Sequence, residues 1–394
     1  MSPVTRRGSY QCLQGLQEKK MNLNITHVTS EVFEWDRPTI WNGSHFYDKG
    51  RLHKVTVYTD QGLVGSGWNG GTASTRPFGL MPRFVDYYRP LMIGKNPLDT
   101  RRLLIDLWER QIKILGPAGL HTQALAALLA ACADIKGKAA DLPLYKMLGG
   151  AKERVRAYIA GGYYAEGKDL SRLKDEMIYN VEELHATAVK MKIGDPSTGV
   201  SGDMERIAAV REAVGPEVLL LTDANCACDR ETAMEFADAM AQYDVYWFEE
   251  PLPIYDFDGY RALASHSSVK IATGENYYVF SDFENLLDHK GVSVLNVDVA
   301  ICPGYDVAED VARAALNRGV SIAPHGCQEL QLPLVAGVAN GELLEYYPPE
   351  VDPLRGEMFQ PSLVLAPDGF VDVPSAPGIG FELNMDLLNR YRVA

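Results

Sequence analysis

Residues 245 to 253 read VYWFEEPLP, an apolar run that ends in two carboxylates and is stopped by a proline. Such a run, bounded by a turn signal, is typical of a buried strand. Successive side chains on a strand point to opposite faces, so Glu249 and Glu250 face different surroundings. Only one of the two carboxylates can therefore join a site at the end of this strand.

Seven comparable runs occur after residue 152, and helical segments separate them from one another. They are RVRAYIAGG, TAVKMKIG, VLLLTDAN, VKIATGE, VSVLNVDV, VSIAPHG and ELLEYY. Together with VYWFEEP they make eight strands in alternation with helices. This alternation predicts an α/β fold with a parallel barrel.

The sequence before residue 152 predicts a smaller domain of a different kind. NITHVTSEVFEW and LHKVTVYTDQGLVGSGW alternate with period two and predict antiparallel strands. Between them we expect a long loop over residues 36 to 50, including His45, that acts as a lid. Helical spacing follows from about residue 77 to 149, and ALAALLAACADIKGKAA predicts a buried helix. The tail FVDVPSAPGIGFELNMDLLNRY is expected to return to this first domain.

Composition excludes several classes of partner. The chain of 394 residues has 52 acidic and 38 basic side chains, and its net charge of −14 disfavours binding to nucleic acid. No apolar run approaches the roughly 20 residues that span a bilayer, and no secretory signal is evident, so we expect no membrane partner and a cytoplasmic location. Residues 1–20 are polar and aperiodic, which predicts a flexible leader before a second methionine, Met21.

Two motifs invite interpretations that their context disfavours. GSGWNG at 65–70 fits the dinucleotide pattern G-x-G-x-x-G with Asp86 beyond it, but the strand before it belongs to a hairpin and Asp86 lies in helical sequence. CAC at 226–228 is half of a zinc motif, and no second pair of cysteines or histidines is spaced to complete it. The scattered cysteines fit reduced thiols: Cys12, Cys132, Cys226, Cys228, Cys302 and Cys327.

The active site of a parallel barrel forms at the carboxyl ends of its strands. Every predicted strand after the first ends in ionisable side chains: Lys190 and Lys192, Asp223, Glu249, Glu275, Asp298, His325 and Glu345. A single strand-end acid is more often solvated, but Asp223, Glu249 and Glu275 follow one another at intervals of 26 residues. Three neighbouring strands thus aim carboxylates at one point, where they repel unless a hard cation lies among them. The spacing predicts a Mg²⁺ site, with Mn²⁺ as a substitute.

The lysines of VKMKIG are the candidate bases. Lys190 and Lys192 are two residues apart and share one face of the second barrel strand. Lysines usually extend into solvent, but the apolar flanking residues Val189, Met191 and Ile193 indicate a buried strand. We therefore expect both ammonium groups at the polar mouth of the barrel, with a pKa lowered by burial and by each other.

A second candidate acid or base follows the seventh strand. Adjacent strand ends bring Asp298 within reach of His325, where a carboxylate fixes the imidazole tautomer and raises its basicity. A histidine satisfied in the core is the alternative for His325 alone, and Asp298 beside it favours the catalytic role. Because Glu249 keeps the 26-residue step, we expect Glu250 to face the other way and to meet a basic or backbone partner.

These motifs in this order resemble the enolase superfamily, and within it the mandelate racemase subgroup. The resemblance runs from about residue 22 to the end and rests on AACADIKGKAADLPLYKMLGG, the lysine pair, TDAN, FEEP, TGEN, HGCQE and the closing PGIG. It implies a modified (β/α)7β barrel of the TIM type with an α+β capping domain. The implied division is 21–150 for the capping domain, 151–360 for the barrel and 361–394 for the tail that returns to the cap.

The resemblance also implies roles for the strand-end residues. It places Mg²⁺ on Asp223, Glu249 and Glu275. Lys192 would be one acid or base, and His325, oriented by Asp298, would be the other. Lys190 would neutralise the substrate carboxylate, and Glu345 would hydrogen-bond a carboxylate oxygen as it gains charge. The candidate substrate contacts are His45, Tyr163, Asn225 and Asn276, and the loops at 36–50 and near WNGGTAS would close over the substrate.

The implied partial reaction is removal of the proton next to a carboxylate. Loss of a β-hydroxyl then gives a dehydratase, departure of a ring oxygen a cycloisomerase, and reprotonation a racemase or epimerase. APHGCQELQLPLVAG is more similar to the sugar-acid branches than to mandelate racemase, and Ile301 stands where mandelate racemase has a further lysine. The resemblance favours dehydration of an aldonate or aldarate to a 2-keto-3-deoxy acid. Cycloisomerisation of an anhydro or lactone sugar acid, and racemisation or epimerisation of a 2-hydroxy acid, stay as alternatives.

A hypothesis of a different class is a noncatalytic binding protein whose acidic triad holds Ca²⁺ structurally. Such a protein loses stability with chelator and exchanges no proton on any carboxylate. The enzyme hypothesis implies a small carboxylate substrate and a homo-oligomer, from dimer to octamer.

Overall fold

The structure is a computed structural model that describes residues 23–71 and 77–393. The predicted leader at 1–20, Cys12 and part of the predicted WNGGTAS lid lie outside the described residues. Within those ranges, no helix combines the length and the apolarity that crossing a membrane requires.

An antiparallel sheet opens the fold, with strands in the order β1 (Ile25–Trp41), β2 (Phe46–Thr59) and β3 (Val64–Gly71). The expected long loop over 36–50 is wrong, because β1 and β2 pair as far as Trp41 and Phe46 and only 42–45 connects them. A register shift between Asp36 and Ile40 lets the strand accommodate Pro38 without a ladder hydrogen bond. Beyond it, the stacked rings of Trp41 and Phe46 stabilise the pairing.

A group of helices covers one side of this sheet. They are a 3-10 turn (Phe78–Leu80), α1 (Met81–Met92), α2 (Thr100–Leu104), a π-helical turn (Ile105–Glu109), α3 (Ile112–Leu115), α4 (Leu120–Ala140) and α5 (Leu144–Met147). The predicted buried helix is α4, whose residues from His121 to Ile135 are all buried. It is apolar around most of its circumference because it lies between the sheet and the barrel helices.

The GSGWNG glycines explain how α4 approaches β3. A Cβ atom on Gly65 would lie 2.1 Å from the carbonyl oxygen of Ala131, and one on Gly67 would lie 2.0 Å from that of Ala127. β3 is antiparallel to β2, and Asp86 lies in α1. The motif therefore serves helix–strand packing and not dinucleotide binding, as its context indicated.

The barrel has the predicted strands in the predicted order. They are β4 (Arg154–Gly161), β5 (Ala188–Lys192), β6 (Leu219–Asp223), β7 (Val245–Glu249), β8 (Lys270–Thr273), β9 (Val294–Leu295), β10 (Ser321–Ile322) and β11 (Leu344–Tyr346). Parallel pairing runs from β4 to β10, and β11 returns to β4. A parallel bridge between Ile322 and Gly341 connects β10 to the segment that leads into β11.

Helices alternate with these strands on the outside. They are α6 (Leu170–Glu182), α7 (Gly199–Val214), α8 (Arg230–Met240), a 3-10 turn (Ala241–Tyr243), α9 (Phe257–His266), α10 (Phe280–Asp288), α11 (Gly304–Leu316) and α12 (Gln328–Gly337). The described elements therefore form the expected (β/α)7β barrel of the TIM type beside an α+β cap.

One apolar layer fills the barrel beneath the charged residues. Its members are Tyr158, Ala188, Leu221, Trp247, Ala272, Val294, Ala323 and Leu343. Side chains two residues farther along each strand share the same face. Lys190, Asp223, Glu249 and Glu345 therefore lie in the next layer, toward the carboxyl ends of the strands.

The tail contacts both parts of the molecule. Its elements are α13 (Arg355–Met358), β12 (Phe359–Gln360), β13 (Phe370–Asp372), β14 (Glu382–Leu383), α14 (Met385–Leu388) and a 3-10 turn (Asn389–Tyr391). β13 pairs with barrel strand β4. Farther on, the backbone N–H of Ile379 donates to Asp134 of α4, and that of Val393 donates to the carbonyl of Val32 in β1.

Candidate active site

Three acidic side chains converge at the barrel mouth. Asp223 and Glu249 are the last residues of β6 and β7, and Glu275 lies two residues beyond β8. One carboxylate oxygen from each lies within 4.8 Å of the other two, and within the described ranges this is the one group of acidic, histidine or cysteine side chains placed to hold a metal. The CAC segment is thus not half of a zinc site there.

The chemistry of this cluster fits a hard divalent cation. Burial, opposed by Lys190, raises the pKa of Glu249 to about 8, and neighbouring carboxylates add to the rise. The Oε2 atom of Glu275 is buried and has no hydrogen-bond partner among the described residues. A buried carboxylate oxygen that has no hydrogen bond and faces two further carboxylates is a ready ligand for Mg²⁺.

Lys190 lies below the cavity and is completely buried. Its Nζ is 2.9 Å from Glu249, 2.7 Å from Glu345 and 3.5 Å from Asp223. Burial opposes its charge, but these carboxylates raise its pKa well above the usual range. The expectation of a lowered lysine pKa is therefore wrong for Lys190.

The same correction applies to Lys192. Burial again disfavours the charged form, and the Asp223 carboxylate in direct contact with Nζ outweighs it and raises the pKa. The ammonium also lies 5.3 Å from the ring centroid of Tyr163. The alternation of side chains along β5 predicted the shared face of the two lysines, but not the number of carboxylates around them.

His325 and Asp298 form the predicted pair. Nδ1 of His325 lies 3.0 Å from Asp298 Oδ2, while Gln331 donates to the other oxygen of Asp298 at 2.6 Å. Nε2 of His325 is turned toward Glu275 and Glu345, at 3.6 Å and 3.9 Å. Burial lowers the pKa of His325, but these acids together raise it to about 10, so the imidazole is a cation at neutral pH.

Glu345 is an ionised acceptor. It accepts from the backbone N–H of Gly326 at 2.9 Å and pairs with Lys190. Burial opposes ionisation, but Lys190 and His325 lower the pKa of Glu345 to about 2. In this charge state Glu345 accepts hydrogen bonds, and its hydrogen bond to a substrate carboxylate oxygen stays a prediction.

Glu250 is not part of the three-carboxylate cluster, and its backbone is left-handed, with φ 42°. Its carboxylate accepts from the side-chain amide of Asn276 at 2.8 Å, and its backbone carbonyl accepts from the N–H of Cys226 at 2.7 Å. We expected a basic or backbone partner for this carboxylate. Its hydrogen-bond partner is instead the side-chain amide of Asn276. Burial raises the pKa of Glu250 well above its usual range.

A cavity of about 370 Å³ lies between the cap and the barrel mouth. The four candidate substrate contacts all line it: His45, Tyr163, Asn225 and Asn276. Glu275, Asp298 and His325 also reach its surface, whereas Lys190 and Lys192 lie beneath it. The short loop 42–45 is held against the barrel, because Asn42 donates to the side chain of Asn225 at 2.6 Å.

Comparison with known proteins agrees with this geometry. The family model for the mandelate racemase and muconate lactonizing enzyme N-terminal domain matches residues 31–149, and the enolase C-terminal domain-like model matches residues 172–387. The chain belongs to the mandelate racemase and muconate lactonizing enzyme family. The resemblance drawn from the motifs is confirmed.

Two relatives of the chain have names that specify acid-sugar substrates. The chain is 31% identical over 311 residues to arabinonate dehydratase of Saccharolobus solfataricus, covering 77% of this chain and 81% of that one. It is 29% identical over 391 residues to D-galactarolactone cycloisomerase of Agrobacterium fabrum, covering 94% and 99%. A racemase from Streptomyces coelicolor, solved with bound magnesium, superposes with a TM-score of 0.86 at 26% identity, covering 94% of this chain and 100% of that one. The protein is an enzyme of this family, which sets aside the noncatalytic hypothesis.

Several cavity residues escaped the sequence analysis. Arg37 and Tyr47 lie in the stretch that was expected to be a loop, and Trp35 lies just before it. Tyr347 and Arg355 follow β11, where no motif marks them. One signal in the sequence favoured side chains that face the cavity from residues 36–50. It is the period-two alternation of β1 and β2, if that alternation is continued through this stretch.

Proposed function

We propose that this enzyme is a Mg²⁺-dependent dehydratase that converts an aldonate or aldarate into a 2-keto-3-deoxy acid. The observation that carries the proposal is a three-carboxylate cluster with Lys192 on one side and the Asp298–His325 pair on the other, next to a cavity of about 370 Å³. The arabinonate dehydratase relative supports the same reaction class.

The metal would be held by Asp223, Glu249 and Glu275. A bound Mg²⁺, or Mn²⁺ in its place, supplies positive charge that stabilises the carboxylate oxygens of the substrate as the neighbouring proton leaves. Lys190 adds a fixed positive charge directly below, and its pairs with Glu249 and Glu345 hold it in position.

Lys192 and His325 would share the two proton transfers. One takes the proton from the carbon next to the carboxylate, and the electron pair forms a carbon–carbon double bond as the C–O bond to the β-hydroxyl breaks. The other gives a proton to the departing hydroxyl, which leaves as water, and the enol product becomes the 2-keto acid. We assign the role of the acid to His325, which Asp298 orients, and the role of the base to Lys192.

The remaining residues would bind and enclose the substrate. His45, Tyr163, Asn225 and Asn276 line the cavity and offer hydroxyl, amide and imidazole groups to the sugar hydroxyls. We retain the division into a cap at 21–150, a barrel at 151–360 and a returning tail at 361–394, with the cap closing the cavity from above. We also retain the predictions that the protein is cytoplasmic and that it forms a homo-oligomer. Light scattering can test the oligomeric state.

A cycloisomerase is the second candidate. The D-galactarolactone cycloisomerase relative matches 94% of this chain, more of its length than the dehydratase relative matches. Both reactions begin with the same proton abstraction, and in the cycloisomerase a ring oxygen leaves in place of a hydroxyl. The residues described here can support either outcome.

The test is a screen of hexonates, hexarates and their anhydro and lactone forms with Mg²⁺. We expect a 2-keto-3-deoxy acid, detected by its semicarbazone, from at least one open-chain acid. Conversion of only cyclic acids would favour the cycloisomerase. Absence of both products, and of deuterium uptake next to the carboxylate in D₂O, would contradict the proposed function.

A further inference from the structure

Arg37 brings an unpaired charge into the active-site cavity. The residue lines the cavity, yet it is only 9% exposed, and its Nε is buried without a hydrogen-bond partner. Among the residues that the structure describes, no carboxylate lies within ion-pair distance of its guanidinium. Its guanidinium lies over the ring of Tyr47, whose centroid is 5.7 Å away.

The other arginines of the cavity each have a carboxylate within ion-pair distance, although Nε of Arg355 is also buried without a hydrogen-bond partner. Arg51 pairs with Glu34 at 2.8 Å, and Arg355 faces Glu329 at 3.7 Å. A buried guanidinium without a partner is strongly unfavourable, because it has lost water and gained no acceptor. Among the described arginines of the cavity, Arg37 is the one without a carboxylate in reach, which points to an acceptor that arrives with the ligand.

The backbone of β1 changes register at this arginine. The register of β1 and β2 shifts between Asp36 and Ile40, so residues 37–39 face a single residue of β2, Asp48. Bulges of this kind re-aim side chains beside active sites. Here the bulge accompanies an arginine that lies in the cavity wall.

Arg37 makes no direct contact with the carboxylate cluster. Its guanidinium lies over Tyr47, the ring of Tyr47 packs edge-on against Tyr163 at 5.9 Å, and the Lys192 ammonium lies at 5.3 Å on Tyr163. Two aromatic rings thus separate the guanidinium from the ammonium. A substrate group held by Arg37 is different from the carboxylate that is held at the cluster.

We propose that Arg37 binds the second carboxylate of a dicarboxylic acid sugar, which makes aldarates or their lactones, and not aldonates, the substrate class. The proposal rests on the proposed function for the position of the first carboxylate. The planar fork of a guanidinium matches a carboxylate in a bidentate pair, which a lysine or an amide cannot reproduce.

The test is calorimetric binding of stereochemically matched hexarates and hexonates to the Mg²⁺-loaded enzyme and to its Arg37→Met variant. We expect the wild type to prefer a hexarate, and the variant to lose about 10- to 100-fold in hexarate affinity while hexonate affinity is unchanged. The unfolding temperature of Arg37→Met should equal or exceed that of the wild type, because the substitution removes an unpaired buried charge. A loss of affinity shared equally by both classes would overturn the proposal.

Arg51→Met is the matched control, since Arg51 lies in the same cavity wall but has its own carboxylate partner. The ratio of hexarate to hexonate affinity should persist in it. Three results for the wild type would contradict the assignment. They are equal affinity for hexonates and hexarates, binding of neither class, and preference for a hexonate that carries a terminal phosphate.

The two proposals can fail separately. If the enzyme dehydrates hexonates at the same rate with and without Arg37→Met, the role of Arg37 is refuted and the proposed function stands. Arg37-dependent hexarate binding without any deuterium uptake next to the carboxylate would support the role of Arg37 and remove the proposed function.

Discussion

At the scale of single residues, charge balance explains the chemistry of the site. Lys190, Lys192 and His325 provide three positive charges beside five carboxylates: Asp223, Glu249, Glu275, Asp298 and Glu345. When all five carboxylates are ionised, the two excess negative charges match one divalent cation. The high pKa of His325 and the low pKa of Glu345 follow from this crowding and not from burial, which acts in the opposite direction on both.

Removal of one ligand charge is therefore expected to disturb the metal first. We expect each single substitution of a ligand to weaken Mg²⁺ binding by at least about 10- to 100-fold and to abolish turnover. The variants are Asp223→Asn, Glu249→Gln and Glu275→Gln. Glu250→Gln is the control, because Glu250 faces Asn276 and its replacement can still accept that hydrogen bond. Isothermal titration with Mg²⁺ measures the metal affinity of the three ligand variants and of the control. Near wild-type affinity in Glu249→Gln would refute the ligand assignment.

A second residue-scale prediction concerns pH. His53 is completely buried, with Ser30 and Asn69 on its two ring nitrogens, and burial lowers its pKa to about 4. The unfolded chain binds a proton near pH 6.5, so stability is complete above that pH and falls as the pH drops toward 4. The expected loss is about 2 to 3 kcal/mol by pH 4.

His53→Gln removes this titrating group and leaves the carboxylates unchanged. Urea unfolding of both proteins at pH 7 and pH 4.5 isolates the histidine, and the variant should lose less stability over that interval. Equal losses in the two proteins would show that His53 does not titrate as described.

At the scale of elements, each barrel strand was predictable because a parallel strand buried on both faces appears as a continuous apolar run. The first hairpin was only partly predictable. Pro38, Gly43 and several polar residues indicate a loop locally, whereas the pairing of Trp41 with Phe46 depends on the partner strand. The 26-residue spacing located three strand ends, but it contains no information about how deeply Lys190 is buried.

The contact between β3 and α4 gives an element-scale prediction. Gly67→Ala would place a Cβ atom 2.0 Å from the carbonyl oxygen of Ala127, so helix and strand must separate. We expect a loss of about 1 to 3 kcal/mol in unfolding free energy. Gly79→Ala is the matched control, because nothing lies within 4 Å of the corresponding position. Equal stability of the two variants would contradict the packing role.

At the scale of the whole molecule, the active site depends on both parts of the chain. The barrel supplies the carboxylates, Lys192 and His325, while the cap supplies Arg37, His45 and Tyr47 to the cavity. The sequence predicted the barrel residues because strand ends mark them. Of the cap residues, the sequence analysis named His45 alone, because the positions of Arg37 and Tyr47 depend on how β1 and β2 pair and where they meet the barrel.

The most direct test of the account is deuterium exchange at the carbon next to the substrate carboxylate, in D₂O with Mg²⁺ and the acid sugar that the screen identifies. Lys192 ends β5 and His325 follows β10, on different sides of the metal cluster, so each is expected to reach only one face of the substrate. The account predicts that Lys192→Ala stops both turnover and exchange, while His325→Asn stops turnover and leaves exchange, with kcat reduced by about 10² to 10⁴ in each. A reduction of only a few-fold in His325→Asn, or continued exchange in Lys192→Ala, would contradict it.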